Sequence, residues 1–331
     1  MKKHWAILTL LLFSSSTFAE GPLSFHIYGV SGKAKNNVEK RLTLATRDLK
    51  KDATTEQIQA SFNKTPDSVK KALQPYGYFK PIVDAQLIRV GFDWVGEYHI
   101  KLGPRLSITH LDFKVTGAGK NNPILKQYIE HFPLAVGQPL SIPKYNKVKQ
   151  TLFQLAAEQG YIQPQLTKHE VKINLLNKTV DITLHFDTGE QYLYGPIHFN
   201  KTPFDPKFLQ RFVHIKPGQI YNPSQVTQLE NNLNDSQFFQ SLRVEPDFKN
   251  AKGKEVPIDI QLAPKKSQAY TIGVGYSTDI KLRGVLAWEW RRITSTGHHL
   301  QAFIQGSEKD SRLQADYIIP SSKPVTDDYD L

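Results

Sequence analysis

Few residues in this 331-residue chain are spaced for covalent chemistry. It has no cysteine, no His-Glu-x-x-His metal pair, no phosphate-cradling glycine loop and no Gly-x-Ser-x-Gly nucleophile elbow. His298 and His299 are adjacent, a spacing that aims two imidazoles apart on any helix, and they fall at a strand end. Asp327-Asp328, beside Thr326, read as a solvated loop, and Tyr76, Tyr78 and Tyr161 read as core plugs at helix ends. The residues therefore imply no catalyst, cofactor or metal. What remains is the chemistry of the backbone. A strand at a sheet edge presents unpaired N–H and C=O groups that can add an incoming extended segment.

The chain carries 42 basic and 31 acidic side chains, a net +11. Lys2-Lys3, the apolar run Trp5 to Phe13 and Thr17-Phe18-Ala19 form the three parts of a secretory signal peptide over residues 1–19, cleaved after Ala19. The apolar run is far shorter than the ~20 residues of a membrane-spanning helix. Export without cysteine suits a bacterial envelope compartment. The basic excess of the mature chain lies before Lys266, and the last part is neutral. Export argues against nucleic acid as the reason for that excess.

An internal repeat organises the exported part. Gly77-Tyr78-Phe79-Lys80-Pro81 returns as Gly160-Tyr161-Ile162-Gln163-Pro164, and Gly137-Gln138-Pro139 returns as Gly218-Gln219-Ile220. Three units of about 80 residues follow, at 20–105, 106–190 and 191–265. Each reads strand, helix, helix, strand, strand. In the first, Val38, Leu42, Ala45 and Leu49 share a helix face, Thr54 and Gln57 form a capping box, and Pro66 breaks the next helical region. Asn222-Pro223 opens a helix in the third, and at the last turn of the second Lys178 follows Asn177, a residue that tolerates positive φ. Gly160 ends its helix with positive φ.

After Lys266 the period changes from helical to two. Four segments of about ten residues, near 270–276, 282–290, 300–304 and 313–319, put apolar residues on one face and polar ones on the other. This is the pattern of an outer-membrane β-barrel over residues 266–331. A soluble meander with one face on a core is the alternative.

The order of these parts resembles the outer-membrane assembly family of BamA and TamA, whose periplasmic modules are POTRA domains, and the count of three matches its TamA branch. The resemblance rests on Gly77-Tyr78-Phe79, Gly160-Tyr161, Gly137-Gln138-Pro139-Leu140, Gly218-Gln219-Ile220-Tyr221 and the segment Ile272 to Asp279. It implies an α+β fold of three tandem POTRA modules followed by the start of an antiparallel transmembrane β-barrel. It also implies an outer-membrane location with the modules in the periplasm. A closed barrel needs at least eight strands, so four segments imply a longer parent.

In POTRA-like modules the second strand is the usual edge. The resemblance thus nominates Val83, Ala85 and Leu87, then Thr167, His169 and Val171, then Arg243 and Glu245, for strand addition by a client or partner. Pro81 and Pro164 beside two of these strands serve equally well as edge protection. The first barrel strand, with Tyr270, Ile272, Gly273, Val274, Gly275 and Tyr276, is the seam strand in the family. Its glycines either weaken pairing or relieve crowding inside the barrel. The implied partners are a TamB-like periplasmic protein, clients such as autotransporters and other outer-membrane proteins, and outer-membrane lipid. A soluble POTRA scaffold and a two-partner secretion transporter are the rival readings.

Overall fold

The computed structural model describes residues 22–278, 281–307, 310–320 and 328–330. The signal segment, Asp279 and Asp327 lie outside them. By contacts the chain divides into two units, one of residues through 113 with 132–149 and 168–184, the other of 114–131, 150–167 and 185–331.

The first module runs β1 (Leu23–Tyr28), α1 (Gly32–Thr46), α2 (Thr55–Phe62), α3 (Thr65–Leu73), β2 (Ile82–Val90) and β3 (Asp93–Lys101). The capping box forms in full, with Thr54 and Gln57 each accepting from the other's backbone N–H. The expected second helix is split. Pro66 sits in the first turn of α3, where its missing N–H costs nothing, so the chain turns at residues 63–64 and restarts. β1 lies parallel to β3, from Leu23 opposite Trp94, and β2 returns antiparallel on its other side. Parallel neighbours need a crossover, and the helices supply it. Val38, Leu42, Phe62, Val69, Leu73, Tyr98 and Ile100 form the core. Tyr98 is wholly buried, and its hydroxyl meets Thr65 Oγ1 at 2.6 Å. Because Thr65 donates to the Phe62 carbonyl, Tyr98 donates to Thr65. Burial pushes its phenol up to about 12.

The second module repeats the order with β4 (His110–Thr116), α4 (Pro123–Glu130), α5 (Ile142–Glu158), β5 (Gln165–Asn174) and β6 (Thr179–Asp187), and its sheet runs β4-β6-β5. Along β6, Val180, Ile182, Leu184 and Phe186 alternate as fully buried residues. The positive φ at the β5–β6 turn falls on Lys178, at 55°, the residue after Asn177. Asn174 Oδ1 accepts from the N–H groups of Leu176 and Asn177 and thereby fixes those two residues, which leaves Lys178 to reverse the chain.

The third module has β7 (Leu193–Phe199), α6 (Pro206–Gln210), α7 (Pro223–Asp235), β8 (Phe239–Pro246) and β9 (Glu255–Pro264), in the sheet order β7-β9-β8. Asn222 caps α7 through Ser224 N–H, with Pro223 behind it. Its core joins Phe204, Phe208, Phe212, Leu229, Leu233, Phe239, Ile258, Ile260 and Leu262.

A sheet of five antiparallel strands follows: β10 (Gln268–Ser277), β11 (Lys281–Trp290), β12 (His299–Ser307), β13 (Ser311–Pro320) and β14 (Asp328–Asp330). The sequence pattern predicts only four. Asp328, expected in a loop, instead opposes Pro320 in β14, because the chain after β13 returns alongside it and backbone pairing needs no apolar side chain.

Turns of one design recur within each unit. In the first, Gly77 at φ 89° ends the helical segment, and its carbonyl accepts from Leu106 N–H at 2.9 Å. Arg105 Nε donates to the neighbouring Tyr76 carbonyl at 2.7 Å, and Leu140 N–H donates to the Leu106 carbonyl at 2.9 Å. In the second, Gly160 at φ 80° accepts from Tyr192 N–H at 2.8 Å. There Gln191 Nε2 donates to the Gln159 carbonyl at 2.9 Å, and Tyr221 N–H to the Tyr192 carbonyl at 3.0 Å. Tyr194 locks the latter joint, its hydroxyl donating to Asn222 O and accepting from Asn222 N–H. The Gly-Tyr and Gly-Gln repeats are the two halves of this joint. A third copy sits at Gln237-Phe238-Phe239, where a non-glycine residue takes φ 60°.

Candidate strand-addition edges

β2, β5 and β8 each stand at the end of a three-stranded sheet, with β3, β6 and β9 as their strand partners. On β2, Val83, Ala85 and Leu87 pack on the module core, while Ile82, Asp84 and Gln86 face outward. An incoming segment would therefore meet the backbone of this edge and its outward side chains, not the three apolar ones. On β5, Thr167 and His169 are exposed and Val171 is half-buried. Glu170 beside them is held below the usual carboxylate range by its hydrogen bond and charge pairing with Lys172, 3.1 Å away. On β8, Arg243 and Glu245 pair with each other on the outward face while Val244 is buried between them. The β8–β9 register shifts between Phe239 and Ser241, a bulge that twists this edge.

β10 pairs with β11 from Gln268 opposite Trp290 to Ser277 opposite Lys281, and it ends the five-stranded sheet. Tyr270, Ile272, Val274 and Tyr276 all project from one face, with Ile272 79% and Val274 87% exposed. Gly273 and Gly275 alternate with them. Among the described residues crowding does not require either glycine. A Cβ on Gly273 would meet only Val285 Cβ at 3.9 Å, and one on Gly275 would meet nothing within 4 Å. Glycine there costs strand stability without a packing return. The same face continues across the sheet through Leu282, Leu286, Ile304 and Leu313, all exposed. Trp288 and Trp290 stack at 5.9 Å at one end of β11.

Sequence reasoning missed two features near these edges. Gln237 was hidden because the repeat was followed through its glycine; its signal is the 77-residue spacing after Gly160 and the aromatic pair that follows. Gly297, at φ 84° between β11 and β12, carried no repeat signal at all. Among the described residues no cluster of His, Asp or Glu is arranged to hold a metal.

This architecture, small mixed sheets under helices in tandem with an antiparallel sheet after them, defines a POTRA-domain protein. The family model for the first POTRA domain of TamA matches residues 24–102, and that for the surface antigen variable number repeat, a POTRA model, matches residues 192–265. The crystal structure of BamA from Haemophilus ducreyi lacking POTRA domains 1–3 is similar at 19% identity and a TM-score of 0.50, over 65% of this chain. Haemophilus influenzae BamA POTRA3-5 matches at 16% identity over 73% of this chain and 94% of its own, with a TM-score of 0.40. CdiB from Escherichia coli matches at 13% identity over 80% and 47% respectively, also with a TM-score of 0.40. Residues 24–102 and 192–265 are thus similar to POTRA domains, the first of them to that of TamA, and the chain shares the fold of the BamA fragment. It spans 40% of the length of the H. ducreyi BamA chain.

Proposed function

We propose that this chain belongs to an outer-membrane assembly or secretion factor of the TamA type. In this reading residues 20–105, 106–190 and 191–265 are periplasmic POTRA modules behind a signal peptide, and β10 to β14 begin a transmembrane β-barrel. The observation that carries it is the face of Tyr270, Ile272, Val274, Tyr276, Leu282, Leu286, Ile304 and Leu313, exposed side by side on a five-stranded antiparallel sheet. An apolar surface of that extent is unstable in water and suits hydrocarbon. The match of residues 24–102 to the TamA POTRA model supports the same reading.

The work such a protein does is hydrogen-bond templating without a covalent step. An incoming client strand pairs with the open edge of β10, which its two glycines make weak enough to release, and the edges of β2, β5 and β8 take extended segments in the periplasm. Clients are outer-membrane proteins such as autotransporters, the partner is a TamB-like periplasmic protein, and lipid surrounds the apolar face. The test is membrane flotation with heat-modifiable gel mobility, on this chain and on the gene read past Leu331. A heat-shifted outer-membrane band from the longer product is the expected result. A soluble product with Leu286 and Ile304 protected from solvent would point to a periplasmic scaffold and overturn the reading.

A further inference from the structure

The third module grips the five-stranded sheet by one turn. Between β11 and β12, residues 291–298 fold on themselves: Ile293 N–H donates to the His298 carbonyl at 2.8 Å, and His298 N–H donates to Thr294 Oγ1 at 3.3 Å. This closed turn directs the buried backbone of Gly297 at the end of the Phe208 ring. A Cβ on Gly297 would lie 2.5 Å from Phe208 Cζ and 3.0 Å from Cε2, so only glycine admits the ring. Asp205, which caps α6 through Lys207 N–H, donates its own N–H to the Ser295 carbonyl at 2.9 Å. The Arg292 guanidinium lies 5.8 Å over Phe204, and His299 meets Phe238 edge-on at 5.9 Å.

The other strand ends come to the same place. Lys265 N–H, just before β10, donates to the Phe238 carbonyl at 2.9 Å, and Arg291 N–H donates to the Ser267 carbonyl at 2.7 Å. Arg211 reaches the Pro320 carbonyl at the end of β13. Phe204, Phe208 and Phe238 are buried in this arrangement. This third copy of the joint thus receives a turn of the sheet, where the first two copies receive the next module. Gly77 and Gly160 lie against backbone carbonyls of the segment they hold, whereas Gln237 carries a side chain at φ 60°.

We propose that Phe208, Gly297 and Phe238 are positioning residues for the open edge of β10: they seat the β11–β12 turn on the third module, and so hold the start of the seam strand at a fixed place beside it. This deepens the reading above, on which the use of that edge rests, but the latch stands or falls on its own measurements. The chain lacks cysteine, so introduced pairs report without background. A backbone hydrogen bond puts the Asp205 and Ser295 Cα atoms within about the 4.4–6.8 Å range that a disulfide spans.

Two experiments on the full chain in detergent micelles decide it. The first is oxidation of the D205C/S295C variant, expected to give near-complete intramolecular cross-linking. The second is hydrogen exchange over Gln268 to Ser277. Gly297→Ala should raise exchange there at least tenfold, while Gly253→Ala, at φ 66° with nothing within 4 Å, should not. Adding Phe208→Leu to Gly297→Ala removes the ring end and should recover much of the protection. Failure of the cross-link, or equal β10 exchange in the two alanine variants, would overturn the latch. Failure of client pairing at β10 with the latch intact would count against the proposed function instead.

Discussion

Gly160→Ala separates two costs that glycine substitutions usually combine. An L-residue at φ 80° pays roughly 1–2 kcal/mol for the left-handed backbone. At Gly160 the new Cβ also lands 2.8 Å from the Tyr192 carbonyl oxygen and 2.9 Å from Ile220 Cγ2. The first neighbour is backbone and cannot swing away, so the joint must open, straining the Tyr192 N–H bond to the Gly160 carbonyl, worth about 1 kcal/mol. Overpacking adds about 1–3 kcal/mol, for a total of about 3–6 kcal/mol. Gly218→Ala is the matched control: its φ is 84° and nothing lies within 4 Å of the added Cβ, so only the backbone cost applies. Hydrogen exchange of the Tyr192 and Tyr221 amides in the full chain reads the difference locally. An excess of about 2–4 kcal/mol for Gly160→Ala means a loss of protection on the order of 30- to 800-fold beyond the control. Equal losses in the two variants would refute the claim that close approach, and not φ alone, requires glycine at the joint.

Gln237→Gly should stabilise the third module by roughly 0.5–1 kcal/mol, since it relieves positive φ at a small entropic cost; a lower urea midpoint would contradict this. Tyr98 titrates near 12 when folded against about 10 when unfolded, so its contribution is complete below pH 10 and is lost as pH rises from 10 through 12. Alkaline titration of the first module by circular dichroism should show that loss, about 2–3 kcal/mol, and Tyr98→Phe should flatten it. Leu286→Arg, on the exposed apolar face, should weaken membrane insertion of the longer gene product by roughly 2–4 kcal/mol if the site is near the bilayer midplane. Unchanged partitioning would reverse the assignment of faces.

Local signals were legible in the residues wherever the structure is locally determined. Thr54 with Gln57, Asn222 with Pro223, and Gly160 at a helix end each appear as expected, because caps and left-handed turns are decided within a few residues. Long-range backbone contacts were not legible. Asp328 pairs because Pro320 is opposite it, and Gly297 is required because Phe208 arrives from a segment some 90 residues earlier. Lys178 takes positive φ because Asn174, four residues back, already binds the two amides before it. At the edges, β2 ends its sheet as the resemblance implies, but Val83, Ala85 and Leu87 are its inward side chains; a core-facing set and an outward set share one period of two.

The most direct test of the central claim is disulfide trapping between β10 and a nascent client strand. Single cysteines at Ile272, Gly273, Val274 and Gly275 would be placed in the longer gene product, in outer membranes, with cysteines stepped along the terminal strand of a stalled autotransporter barrel. Templating at the open edge predicts cross-links that move in register, each one-residue step on β10 matched by one on the client. Cross-links without register, or none from β10 while the client still inserts at its normal rate, would contradict it.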